Sequence, residues 1–151
     1  MNQIRSWLYI GKYRDTCDLA CLQSRNIGAM LQLAELVEQP HITTLYLSVE
    51  DGEPIPINLL TQGIEFVRLQ KALGKTVLVA CGAGISRSSS FALAALKEEE
   101  NLGLMEALRE VAAKHFDTQP HKALWDSLCG YYNEAIDYRK VMQLIFEIRK
   151  L

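Results

Sequence analysis

Val77-Leu78-Val79-Ala80-Cys81-Gly82-Ala83-Gly84-Ile85-Ser86-Arg87-Ser88-Ser89-Ser90 is the stretch on which the fold turns. The segment that opens it, residues 76–79 counting Thr76 just before the stretch, is too short and too continuously apolar for anything but a strand buried inside an α/β sheet. Its far end, residues 88–100, continues as an apolar, alanine-rich helix. Between them stand a cysteine, five residues of which two are glycine, and an arginine.

A loop that leaves a buried strand and enters a helix points consecutive backbone N–H groups inward, and it lays the positive end of the helix against whatever fills the bowl. Such a bowl binds an oxyanion. The same groups favour a thiolate at its edge, so Cys81 reads as an activated nucleophile. Arg87 adds a planar fork that meets two phosphate oxygens at once, and Gly82 and Gly84 let the backbone turn tightly around the anion. The pattern describes a covalent phosphoryl-transfer site, with Gly82, Ala83, Gly84, Ile85, Ser86 and Arg87 around the phosphate. A core cysteine with an unrelated surface arginine is the plainer reading. The strand-to-helix context, the two glycines and the hydroxyl-rich helix start weigh against it.

Outward from this loop, residues 7–11 and 29–33 read as strands, with a helix between them through Leu19, Leu22 and Ile27. Residues 44–49 form a third strand, and residues 50–56, with their glycine and prolines, form a loop. Residues 59–73 have helical periodicity (Leu60, Ile64, Val67) and stop at Gly74. After the quoted stretch come helices over residues 104–115, 121–132 and 135–151, with Pro120 at the entrance of the second. Strands and helices alternate, and then helices follow alone. The expected fold is α/β: a central mixed, mostly parallel sheet flanked by helices, in a single domain over residues 1–151 with 135–151 a C-terminal helical extension.

An apolar share of 49% over 151 residues suffices for the core of one such domain. No apolar run approaches the roughly 20 residues that span a bilayer, and residues 1–7 lack the apolar core of a signal peptide. A cytoplasmic protein without membrane contact is expected. With 16 basic and 18 acidic residues the net charge is −2, which gives nucleic-acid binding no support. Cys17, Cys21, Cys81 and Cys129 read as free thiols. Cys17 and Cys21 fall i, i+4 in the expected first helix, and His41, His115 and His121 are scattered, so neither a metal nor another cofactor is expected.

Cys81-Gly82-Ala83-Gly84-Ile85-Ser86-Arg87-Ser88 resembles the active-site loop of the cysteine-dependent protein phosphatases, and its Ala83 to Ser88 part is most similar to the small dual-specificity branch. Trp7-Leu8-Tyr9-Ile10-Gly11 resembles the opening strand of those domains. Leu93-Ala94-Ala95-Leu96 is similar to a helical motif after the loop, and Met105-Glu106-Ala107-Leu108 followed by Pro120 resembles the pattern that closes the domain. The likeness covers about residues 4–134. It implies hydrolysis of phosphotyrosine and phosphoserine or phosphothreonine esters through a phosphocysteine, with a phosphorylated protein as substrate. It also implies a general acid about 30 residues before the cysteine, on a separate loop. Asp51 stands there, beside Glu50 and Glu53 of equal chemistry. In such loops the residue at Ser88 hydrogen-bonds the cysteine sulfur; a serine there is also a good helix N-cap.

One position departs from the family: the histidine that usually precedes the cysteine and orders the loop is Ala80 here. Relatives that act on inositol lipids carry lysines inside the loop, and residues 82–86 contain none, which disfavours lipid substrates. The large tyrosine-specific enzymes need a much longer chain for their deep cleft, so a shallower pocket is expected. Two other readings stand beside this one. A phosphoprotein-binding module of little activity is compatible with Ala80 but has no need of Cys81. A rhodanese-like sulfurtransferase also uses a loop cysteine but has no need of Asp51 or of Arg87-Ser88. Finally, Val141, Leu144, Ile145 and Ile148 share one face of the last helix, which either packs on its own domain or joins two copies into a homodimer.

Overall fold

The computed structural model describes residues 1–150; Leu151, the end of the expected C-terminal helix, lies outside the described residues. The strands are β1 (Asn2–Arg5), β2 (Leu8–Lys12), β3 (Ile27–Gln32), β4 (Thr43–Tyr46) and β5 (Thr76–Cys81). They form one sheet in the order β1-β2-β5-β3-β4, parallel except for β1, which pairs antiparallel with β2 at the edge. Parallel neighbours need crossovers. α1 (Tyr13–Thr16) and α2 (Leu19–Ser24) connect β2 to β3, the helix-free residues 33–42 connect β3 to β4, and α3 (Ile57–Ala72) connects β4 to β5; α4 (Arg87–Glu100), α5 (Leu104–Lys114), α6 (Lys122–Tyr132) and α7 (Tyr138–Arg149) then follow without strands.

Alternate residues of the central strand supply two cores, as a two-residue period requires. Val77, Val79 and Cys81 join a large cluster with α3 to α7, while Leu78 and Ala80 join a small one with Tyr9, Leu22, Ile27 and Met30. α4 is the centre of the large cluster. Its residues from Ser88 to Leu96 are buried throughout: three small serines, then the apolar run Phe91 to Leu96, before the charged end from Lys97 to Glu100 returns to the surface. Gly63 of α3 admits the ring of Phe91, which a Cβ there would strike. The outer ends of the same two helices are joined by charge: Lys71, and with it Arg68, hold the Glu99 carboxyl below the usual carboxylate range. The α/β expectation is thus met.

Several boundaries differ from those read in the sequence. β1 was not legible, because an edge strand with Ile4 alone buried shows no apolar run. Ile27, counted in the first helix, opens β3, since α2 ends at Ser24 and Asn26 turns left-handed at φ 57°. Cys17 closes α1 and lies outside α2, so Cys17 and Cys21 do not share a helix. α7 starts at Tyr138 rather than at residue 135, because the Asp137 carboxylate accepts the Arg139 N–H as an N-cap. The apolar face of α7 packs on its own chain: Val141, Leu144, Ile145 and Ile148 lie in the large cluster beside α5 and α6. Among the described residues no helix is long and apolar enough to cross a membrane.

Candidate active site

Burial of β5 between β2 and β3 carries Cys81 to the carboxyl end of the sheet with its side chain toward the helices, 3% exposed. Its Sγ is 3.2 Å from Oγ of Ser88, itself fully buried. As a thiol, Cys81 donates to that oxygen; as a thiolate, it accepts the Ser88 O–H. Ser88 is the second residue of α4 and does not cap it, the N-cap position being Ser86.

The loop's peptides are oriented by what holds their carbonyls. Gly82 O accepts the Tyr13 N–H at 3.4 Å, and Ile85 O accepts the Gln119 N–H at 3.0 Å. Gly84 O accepts Nε2 of His115 at 2.5 Å, and Ser86 O accepts the N–H and the hydroxyl of Ser90. In a trans peptide the N–H points opposite to the C=O. The amides of Ala83, Ile85, Ser86 and Arg87 are therefore turned away from these anchors. Among the described residues, the amides of residues 82–86 donate to no backbone carbonyl. Amides so disposed, with the N-terminus of α4 beside them, are the arrangement that an oxyanion cradle requires. Gly84 has φ 71°, and a Cβ there would stand 3.0 Å from the Gly11 carbonyl oxygen, so both backbone and space demand glycine.

Arg87 joins the cradle to the neighbouring strand ends. Its Nη1 donates to Val49 O at 3.0 Å and to Leu33 O at 3.4 Å. Its Nη2 lies over the loop, 3.3 Å from where a Cβ on Gly82 would be. One edge of the guanidinium is braced and the other faces the bowl.

The segment after β4 stays beside β3 through Leu47 N–H to Gln32 O (2.9 Å) and Val49 N–H to Leu33 O (3.4 Å). It then turns at Asp51-Gly52, where Gly52 has φ 78°, and is caught again where the Ile55 N–H donates to Ser127 Oγ at 3.0 Å. β3, β4 and β5 are parallel, so both loops open at the carboxyl end of the sheet. Asp51, Cys81, Ala83, Ile85, Ser86 and Arg87 wall a single cleft. Gly82 and Gly84, expected around the phosphate, are not among its walls, and Ser88 lies beneath it against Cys81. Glu50 and Glu53 are exposed and not among its walls. The arrangement places a thiol, a guanidinium and a carboxylate around one cleft.

Sequence reasoning missed the segment from α5 to α6. Besides His115 and Gln119, it offers the His121 N–H, which donates to Ser86 Oγ at 2.8 Å. No spacing rule ties residue 115 to residue 84, so the three scattered histidines carried no signal of it. Among the described residues no three His, Cys, Asp or Glu side chains gather as metal ligands.

The family model for the dual specificity phosphatase catalytic domain matches residues 8–134. The chain belongs to that family. It is 30% identical over 139 residues to human dual specificity protein phosphatase 16, covering 88% of this chain and 20% of that one. It is 34% identical over 110 residues to mouse dual specificity protein phosphatase 2, covering 70% of this chain and 34% of that one. The chain thus spans about a fifth and a third of the length of these two curated relatives. Its fold matches the crystal structure of human DUSP28 with a TM-score of 0.82 at 19% identity, over 88% of this chain and 96% of that one.

The dual specificity phosphatase frame carries two further features. α7 lies beyond the matched residues. Ala80, the residue before Cys81, is 2% exposed in the small cluster on the sheet face opposite Cys81 and brings no polar group to the loop.

Proposed function

We propose that the chain hydrolyses phosphate monoesters of protein tyrosine, serine and threonine through a phosphocysteine. The observation that carries this reading is the single cleft walled by Cys81, Arg87 and Asp51. The Cys81 thiolate attacks phosphorus while the cradle amides and Arg87 hold the non-bridging oxygens. The ester oxygen departs with a proton from Asp51, leaving phosphate on Sγ. Water then attacks phosphorus as the Asp51 carboxylate takes its proton, and Sγ leaves with the Ser88 hydroxyl donating to it. Inorganic phosphate, the free alcohol or phenol and the original thiolate result.

Arg87 is the cation at the cradle and residues 82–86 add no lysine, which fits a single phosphate on a protein side chain better than a polyphosphorylated lipid. The cycle needs Cys81 as a free thiol, which a reducing compartment such as the cytoplasm maintains. A binding module has no use for the thiol, and a sulfurtransferase none for an acid facing it. The test is hydrolysis of an aryl phosphate by the wild type and by Cys81→Ser. The variant loses turnover and keeps binding tungstate; substantial residual turnover in Cys81→Ser would falsify the mechanism.

A further inference from the structure

We propose that His115 is a positioning residue that keeps the Gly84–Ile85 peptide turned so that its N–H serves the oxyanion; the proposal rests on the reading of the loop as a phosphate cradle. Of the groups that hold the loop carbonyls of residues 82, 84 and 85, those on Gly82 and Ile85 are backbone N–H groups, and that on Gly84 is a side chain. His115 is 5% exposed at the end of α5, its ring between Gly84 O and Asn2. Nδ1 lies 2.7 Å from Asn2 Nδ2, an amide donor, so Nδ1 accepts and Nε2 carries the proton that goes to Gly84 O. The Gly84 carbonyl, which can only accept, requires that proton on Nε2, and the Asn2 amide complements it at Nδ1.

The peptide after Gly84 is the one most in need of a hold. Glycine has wide backbone freedom, and rotation of the Gly84–Ile85 plane would bring a carbonyl into the bowl and carry the Ile85 N–H out of it. A carbonyl facing the phosphate repels it where an amide attracts it. The Gly11 backbone behind Gly84 limits where this residue can move, but contact alone does not decide which way its carbonyl faces. The hydrogen bond from His115 does. Ala80, the residue before the nucleophile, has no polar group with which to share the task.

The test compares His115→Leu, of similar bulk without a donor, with His115→Gln, which can present an amide N–H to the same carbonyl. Tungstate affinity, kcat/KM on an aryl phosphate and Tm are measured for each. His115→Leu is expected to weaken tungstate binding on the order of tenfold to a hundredfold, the scale of one hydrogen bond to a charged group, and to lower kcat/KM with it. His115→Gln restores both to within about threefold of wild type at the same Tm. Wild-type tungstate affinity in His115→Leu, or a His115→Gln as weak as His115→Leu, overturns the proposal. If neither variant folds, the long-range ¹H–¹⁵N spectrum of the wild type decides, and an Nε2 without a proton overturns it. A wild type that binds tungstate without hydrolysing esters defeats the phosphatase reading and leaves this test intact. A wild type that does neither defeats both.

Discussion

Between Cys81 and Arg87 the carbonyls of Gly82, Gly84, Ile85 and Ser86 are each held by a donor, whereas between Val49 and Ile55 the chain is caught at its ends, by Leu33, Arg87 and Ser127. Asp51, midway along the second segment, is exposed, and among the described residues its carboxylate has no hydrogen-bond partner. The difference matches what each loop must do in the proposed reaction. The three non-bridging oxygens of a phosphate monoester have one geometry in every substrate, so fixed amides serve them all. The ester oxygen, bonded to phosphorus opposite Sγ, stands in one place too, but the leaving groups differ: a phenolate departs with little help, and a serine alkoxide departs only as it is protonated. The contribution of the carboxylate therefore varies with the substrate. Damage to the first loop should therefore be indifferent to the substrate, and damage to the second should depend on it.

Arg87 gives the largest effect, because it belongs to both loops. Preorganised donors to a developing anion are worth roughly 10²- to 10³-fold each. Arg87→Ala, which removes two, is expected to lower kcat/KM by about 10⁴-fold or more and to abolish tungstate binding. Arg87→Lys should do nearly as badly, since a single ammonium cannot brace on Val49 O and present a fork to the anion at once. Steady-state kinetics and tungstate titration check this. An Arg87→Lys with wild-type tungstate affinity would show that the fork is not what binds.

The acid should behave otherwise. Asp51→Asn is expected to lower turnover by about 10²- to 10⁴-fold on alkyl phosphates, the range of a lost general acid. The loss should be smaller on an aryl phosphate whose phenolate leaves unaided, and tungstate affinity should not change. A leaving-group series measures this. If Glu50→Gln or Glu53→Gln gives the pattern and Asp51→Asn does not, the carboxylate has been misassigned.

These two loops also differ in how far they could be read before the fold was known. Strand, cysteine, glycines, arginine and helix follow one another along the chain, so the cradle was legible as a local pattern, and the parallel sheet around it followed from apolar runs. Asp51 was placed by resemblance, with Glu50 and Glu53 equal to it in chemistry; only the cleft separates them, through which side chain forms a wall. His115 and His121 reach the loop because α5 and α6 pack where they do, and residues 31 and 35 positions apart carry no periodic mark of such a meeting. The same holds at the sheet's edge, where β1 hides in a polar sequence, and at Ile27, whose apolar side chain suits a helix or a strand until Asn26 is seen to turn left-handed.

The smallest effect compares the two loops by one chemical change made in each. Gly84 and Gly52 both have positive φ, 71° and 78°, so alanine at either costs about 1–2 kcal/mol of left-handed strain. Their surroundings differ. A Cβ at 84 meets the Gly11 carbonyl oxygen at 3.0 Å, backbone that cannot swing aside, while at 52 the nearest atom is Nε2 of His121 at 3.5 Å, an ordinary contact. Gly84→Ala must therefore shift the loop and its amides, and tungstate affinity is expected to fall by about tenfold, the equivalent of some 1.4 kcal/mol. Gly52→Ala relaxes its strain within the exposed turn, so it should leave tungstate affinity within about twofold while turnover on alkyl phosphates declines more than on aryl phosphates. Chemical denaturation should show the larger loss of stability for Gly84→Ala, whose Cβ meets backbone in addition to the strain. Equal losses of tungstate affinity would mean that the two loops are held alike, and the contrast drawn between them would fail.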